Sequence, residues 1–198
     1  MSTNSTHWMV LIMIIMFVFP SLCPAQDPIE DGDGDEGLAL TAGVYNLTET
    51  VHVYEFLRVA PNVQINFQGN HLVVHEAAWV HINDPDETGV YEGSDDPDDR
   101  PYFHNINTFV IEYTDVVRIW NTDCWTTDSE GNGVEIIDCA QIQVSGCYIN
   151  FDHDDAGYYA LKVSDGGTWF TEEERSLITD CEIISDDRGM KVGDGDPQ

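Results

Sequence analysis

Val116–Asp138 reads VVRIWNTDCWTTDSEGNGVEIID. It holds a run rich in β-branched and aromatic residues, then a turn carrying acids, then a second short run. The same order returns in Ala140–Asp165, AQIQVSGCYINFDHDDAGYYALKVSD, and in Arg175–Asp194, RSLITDCEIISDDRGMKVGD. Aligned on the cysteine of each first run, Cys124, Cys147 and Cys181 coincide, at separations of 23 and 34 residues. The longer separation contains an insertion, Gly166–Glu174. The second runs then align as Val134-Glu135-Ile136, Leu161-Lys162-Val163 and Met190-Lys191-Val192. Both halves alternate with the two-residue period of strands and lack helical spacing. A repeat of about 22–25 residues implies stacked coils, because one coil cannot bury its apolar face alone. The predicted fold is all-β: a right-handed single-stranded parallel β-helix, each coil read as strand, turn, strand, turn. An evenly spaced β-sandwich is the alternative. The repeat lacks the two-residue Asn-Gly or Asp-Gly hairpins which that alternative needs.

Upstream, Leu38–Val74 carries the same alternation, clearest in Val63-Gln64-Ile65-Asn66-Phe67. Ile82–His104, INDPDETGVYEGSDDPDDRPYFH, interrupts it with turn formers and acids and reads as a long loop. Its acids, Asp84, Asp86, Glu87, Asp95, Asp96, Asp98 and Asp99, are candidates for Ca²⁺ or for a solvated surface. The coil resumes at Phe109–Tyr113.

The N-terminus divides into two further parts. Residues 1–25 hold the apolar run WMVLIMIIMFVF (Trp8–Phe19), then Pro20 and Cys23-Pro24-Ala25. This is the pattern of a secretory signal peptide, too short for a membrane span, and the protein is expected to be secreted. Cys23 also sits in a weak lipoprotein-like box, but Leu22 stands where a small residue belongs. Residues 26–37, QDPIEDGDGDEG, read as an acidic linker. Residues 38–198 form the expected β-helix domain. Asn46-Leu47-Thr48 is a glycosylation sequon. The last coil is followed only by Asp194-Gly195-Asp196-Pro197-Gln198, and the chain reads as a fragment lacking C-terminal rungs.

The formal charge is −30, from 37 acids against 7 Lys plus Arg. That excludes a nucleic-acid partner, which needs basic clusters, and disfavours an anionic membrane surface. The histidines are scattered without metal-ligand spacing, and no metal site is assigned. Cys124, Cys139, Cys147 and Cys181 remain in the expected mature chain. Cys124 and Cys147 are expected in one slot of neighbouring coils, as buried filler or, on distance alone, as a bridge.

Acids fall just before the second run of every copy: Asp128 and Glu130, Asp154 and Asp155, Asp186 and Asp187. Stacking puts them in one column, where like charges about 5 Å apart repel and require solvent, a cation or a function. Three of the seven bases, Lys162, Arg188 and Lys191, lie within a few residues of these acids. Paired carboxylates suit glycoside hydrolysis, one protonating the leaving oxygen and one activating water. Asp128, Asp154, Asp155 and Asp187 are the candidate catalytic residues, and Lys162, Arg188 and Lys191 the candidate substrate contacts.

Here the residues resemble glycoside hydrolase family 28, the polygalacturonases, among the pectin-lyase-like β-helices. Gly43-x-Tyr45-x-Leu47 and Asn62-Val63-x-Ile65-x-Phe67-x-Gly69 resemble the first rungs of that superfamily. Asp154-Asp155 before Ala160-Leu161-Lys162, and Ser185–Gly193 (SDDRGMKVG), resemble that family's catalytic corners. The resemblance implies an inverting hydrolase of an acidic polysaccharide, with Asp154 and Asp155 as the paired aspartates and Asp128 in the first catalytic slot. Asn121-Thr122-Asp123-Cys124 matches the family's NTDG by letters but sits on the first strand of the unit. The family's Gly-His-Gly is replaced by Arg188-Gly189, and no Arg-x-Lys follows. Two alternatives stay open on the same fold. One is a polysaccharide lyase using Ca²⁺; the hydrolase needs no cofactor. The other is a non-catalytic glycan-binding or adhesion protein.

Overall fold

The computed structural model describes residues 27–29, 37–84, 93–129, 131–153, 157–164 and 177–193. Residues 1–25, most of 26–37 and the insertion 166–174 lie outside them. A lone strand β1 (Asp27–Ile29) comes first, inside the stretch read as a linker. Six rungs of three strands follow. They are β2–β4 (Leu38–Leu40, Gly43–Leu47, Val51–Val53), β5–β7 (Phe56–Val59, Val63–Asn66, His71–His75) and β8–β10 (Trp79–Ile82, Tyr102–His104, Thr108–Glu112). Then come β11–β13 (Val116–Trp120, Asp123–Ser129, Val134–Ile137), β14–β16 (Gln141–Ser145, Tyr148–His153, Tyr159–Ser164) and β17–β19 (Leu177–Thr179, Glu182–Ser185, Arg188–Val192).

The chain is a right-handed parallel β-helix. Sheet A stacks β1-β3-β6-β9-β12-β15-β18, sheet B stacks β2-β5-β8-β11-β14-β17, and sheet C stacks β4-β7-β10-β13-β16-β19. Every pairing is parallel and joins strands of neighbouring rungs. Each rung therefore has three strands, not the two expected. The first run of each copy is in fact two strands bent at a corner: Val116–Trp120 and Asp123–Ser129 meet at Asn121, whose φ is 40°. Thus Asp123 and Cys124 lie on the second strand of their unit. Within the expected 82–104 loop, Ile82 ends β8, Tyr102–His104 is a strand of sheet A, and Pro97–Asp99 is a 3₁₀ turn.

The alternation is what fills the interior. Inward residues of sheet C run Val51–Leu72–Phe109–Val134–Leu161 in register, and all are buried. Phe67, Phe103 and Phe109 meet at centroid distances of 5.9–6.3 Å in tilted and edge-on geometry. Asn46 is also buried, on β3, so the sequon is not presented as a surface acceptor.

The corners recur as one device. Glu76, Tyr113 and Asp138 take left-handed φ between C and B, and Asn121, Gly146 and Asp180 do so between B and A. A small buried residue comes next: Ala77, Thr114 and Cys139 at the first corner, Thr122, Cys147 and half-buried Cys181 at the second. Thr114 and Thr122 donate from Oγ1 to the carbonyl two residues back, at 2.8–3.2 Å, and Cys139, Cys147 and Cys181 hold Sγ 3.2–3.4 Å from the corresponding carbonyl. Gly146 suits its corner in two ways. Its φ is 67°, and a Cβ there would sit 2.0 Å from the Asn121 amide oxygen.

The cysteine slots differ from the expectation. Cys124 is in register with Ile149, not Cys147. One residue before the Asp123–Tyr148–Glu182 register, Thr122, Cys147 and Cys181 stack. The four thiols are free. Aligning on cysteine letters slipped the register by two residues, which keeps inward residues inward and so hides the error.

Candidate functional site

Of the acidic stretches, the part described lies where sheet A hands over to sheet C. Asp128 lies on β12, next to Ser129, which is in register with His153. Asp154 and Asp155 lie outside the described residues. Asp186 and Asp187 occupy the same corner one rung on, between β18 and β19.

Sheet C carries the three candidate cations. Its outward register runs His52–Val73–Val110–Glu135–Lys162–Lys191. Lys162 therefore has Glu135 on one side and Lys191 on the other. Its Nζ donates to Glu135 Oε1. That ion pair lets two lysines stand in adjacent slots. Lys191 has no ion-pair partner among the described residues. Tyr159 is in register with Arg188. The guanidinium lies 5.4 Å from the ring centroid and donates to Tyr159 Oη at 3.2 Å. Asp187 Oδ2 accepts from the Gly157 backbone N–H at 2.5 Å and lies 3.9 Å from Arg188 Nε. The structure thus sets Lys162 beside Lys191 in one outward register position and Arg188 against Tyr159 near the start of the same two strands, with Asp187 next to Arg188. Asp187 ties its own corner to the corner below, and its carboxylate is already engaged.

The excursion after β8 is pinned at its returning end. Asn83, fully buried, donates to Ser94 O at 3.0 Å and accepts from Ser94 N–H at 2.9 Å. Asn121 donates to Asp95 Oδ1 at 3.1 Å. Asp84 lies 3.5 Å from Arg118 and 3.6 Å from His81. Asp86 and Glu87 lie outside the described residues. Among the described residues no group of three or more His, Cys, Asp or Glu is arranged to hold a metal. No described helix is long and apolar enough to cross a membrane.

Sheet A presents a broad outer face. Asn66, His104, Trp125 and Asn150 run in register along it, beside Gln64, Tyr102, Asp123 and Tyr148. Tyr102 stacks on His104 at 5.2 Å, and Trp125 is 39% exposed. Burial, with Asp123 adding to it, raises the Tyr102 hydroxyl above its usual range, and burial lowers His104.

A second feature lies at the opposite edge of sheet C, where β4 leads into β5 and β7 into β8. An open groove of about 630 Å³ is lined by Tyr54, Glu55, Phe56, Glu76, Ala78 and Trp79. Its walls are two stacked aromatic pairs, Tyr54 on His75 at 5.2 Å and Phe56 on Trp79 at 4.7 Å. His75 is held from behind. Its Nδ1 lies 2.5 Å from Glu112 Oε1, and its Nε2 lies 2.9 Å from His52 Nδ1. These histidines look scattered in the sequence. Their usable sign is that His52 and His75 are 23 residues apart, one repeat length. No family model, curated protein or solved structure matches this chain.

Proposed function

We propose that this protein is an exported carbohydrate-active enzyme. It binds a polysaccharide across the A-to-C corner of its last three rungs and hydrolyses it there, as the family 28 glycoside hydrolases do on the same class of fold. One observation carries the reading. In a chain of charge −30, three of the seven Lys and Arg residues lie on the adjacent strands β16 and β19, which follow the acidic stretches in the sequence. Lys191 and Arg188 then contact substrate carboxylates or hydroxyls, and Tyr159 packs against a sugar ring. Lys162, neutralised by Glu135, holds Lys191 in line. Asp128, Asp154 and Asp155 supply the acid and the base. Neighbouring rungs about 4.8 Å apart set these carboxyl groups at roughly 5 Å, and side-chain splay opens that toward the 6.5–9.5 Å of inverting hydrolysis. Asp187 serves as a positioning residue through Gly157.

The test is release of reducing ends from polygalacturonate, alginate and neutral glycans, with and without chelator. Hydrolysis is expected on at least one substrate, unaffected by chelator and reduced about a hundredfold or more by Asp155→Asn. An unsaturated, ultraviolet-absorbing product abolished by chelator would instead make the protein a Ca²⁺-dependent lyase. A second reading, glycan binding without turnover, draws on the outer face of sheet A. Its Tyr102, His104 and Trp125, flanked by Asn66 and Asn150, offer the flat aromatic and amide surface that sugars pack on. Retention on a glycan column without any product would decide for it.

A further inference from the structure

We propose that the groove between sheets C and B is a binding site for a saccharide carrying protonated amines, such as a chain of deacetylated amino sugars. The proposal stands apart from the hydrolytic reading, because it uses another edge of sheet C and other rungs. The groove, at about 630 Å³, is within the range of about 300–1,000 Å³ common to small-molecule sites. It is open, as a site for one or two units of a longer chain must be.

Its walls are set before any ligand arrives. Phe56 is clamped between Trp79 and the backbone at Gly37, where even a Cβ would lie 2.2 Å from the ring. Tyr54 rests on His75, itself fixed by Glu112 and His52. Rings locked by stacking lose little freedom on binding, which favours affinity. Tyr54 is 38% exposed, an unusual position for a tyrosine already stacked on one face.

The charge of the groove chooses the ligand. Its two ionisable acids, Glu55 and Glu76, sit at the same corner of successive rungs, and none of its lining residues is Lys or Arg. A uronate would meet two carboxylates in a chain already at −30. An ammonium group would gain charge-assisted hydrogen bonds from them and an attraction to the aromatic faces. The hydrophobic C–H face of a sugar ring adds a packing contact with the aromatic walls that a bare polyamine lacks.

The experiment is calorimetric titration of the full chain with a β-1,4-linked glucosamine tetramer, its fully N-acetylated counterpart, a galacturonate tetramer and spermidine. The glucosamine tetramer alone is expected to bind well. The Glu55→Gln/Glu76→Gln protein should bind it about tenfold more weakly and with a shallower salt dependence. Both glutamates are exposed, so this variant is expected to fold, and Tyr54→Ala gives a second route to the same loss. The proposal is overturned if the glucosamine tetramer gives no heat, if the acetylated tetramer or spermidine binds as tightly, or if the glutamine variant binds unchanged. Asp155→Asn leaves this binding intact even where it abolishes hydrolysis, so the two readings fail separately.

Discussion

Leu161 and Met190 hold the same register position in successive rungs, as do Val163 and Val192. Leu161 is 0% exposed and Met190 48%; Val163 is 4% exposed and Val192 62%. The residue types are alike and the strand geometry is the same. What differs is cover. Leu161 has Val134 on one side and Met190 on the other, whereas no described strand lies beyond Met190. In a solenoid, burial belongs to the interface between rungs rather than to the side chain. The same contrast separates Cys147, which is buried, from Cys181, which is half-buried one rung on.

The largest effect that tests this contrast is in the core. Leu161→Ala should cost about 2–5 kcal/mol, the usual loss for a buried leucine in a packed interior. Met190→Ala should cost less than about 0.5 kcal/mol, as surface substitutions do. Denaturant midpoints of the two variants measure the difference directly. Equal losses would mean that Met190 is covered in solution, and the contrast would collapse.

A corner test comes next in size. Thr122 is fully buried and its hydroxyl donates to Trp120 O at 2.8 Å. Thr122→Val keeps the shape and removes the donor, which should cost about 1 kcal/mol. Cys181 holds its sulfur 3.2 Å from Thr179 O in a half-covered slot, a much weaker contact than a hydroxyl donor makes. Cys181→Val should therefore lie within about 0.5 kcal/mol of the parent. A Cys181→Val loss as large as that of Thr122→Val would show the corner to be insensitive to cover.

Much of the coil was legible. The pairing of Val134-Glu135-Ile136 with Leu161-Lys162-Val163 and Met190-Lys191-Val192 is the observed register. The third strand was not legible, because its corner is a single left-handed residue. Asn121 or Asp180 inside a polar-apolar run reads as one more polar position, and only the middle copy marks the bend with a glycine, Gly146. The cysteine alignment failed because Thr and Cys share the corner slot. Thr122 is the true counterpart of Cys147, and its letter conceals that. At the site, the adjacency of Lys162 and Lys191 was visible from spacing alone. The groove was not, since Tyr54, Trp79, His75 and Glu112 come from three rungs and meet only once their register is known.

The smallest effect is chemical rather than energetic, and it concerns the thiols at the edge of cover. Cys181 is brought down to about 6 by the hydrogen bond from the Cys147 thiol, against the opposing influence of burial and Asp180. Cys147, which gives that bond and is also buried, is raised. Burial raises Cys124 as well and pushes Cys139 up to about 11. The sign for Cys181 follows from a free thiol near 8.5. Its fold-dependent stabilisation is present above that value and is lost as pH falls through about 6. Iodoacetamide should therefore label Cys181 first, at a rate that holds from neutral pH down to about 6 and drops below it. Cys124 and Cys139 should stay unlabelled until the protein unfolds. In Cys147→Ala the donor is gone, so the pH at which Cys181 labelling drops should move upward. Peptide mass mapping after timed labelling reads all of this. Labelling of Cys124 as fast as Cys181 would show that the middle rungs open as readily as the last one, and that cover does not separate them.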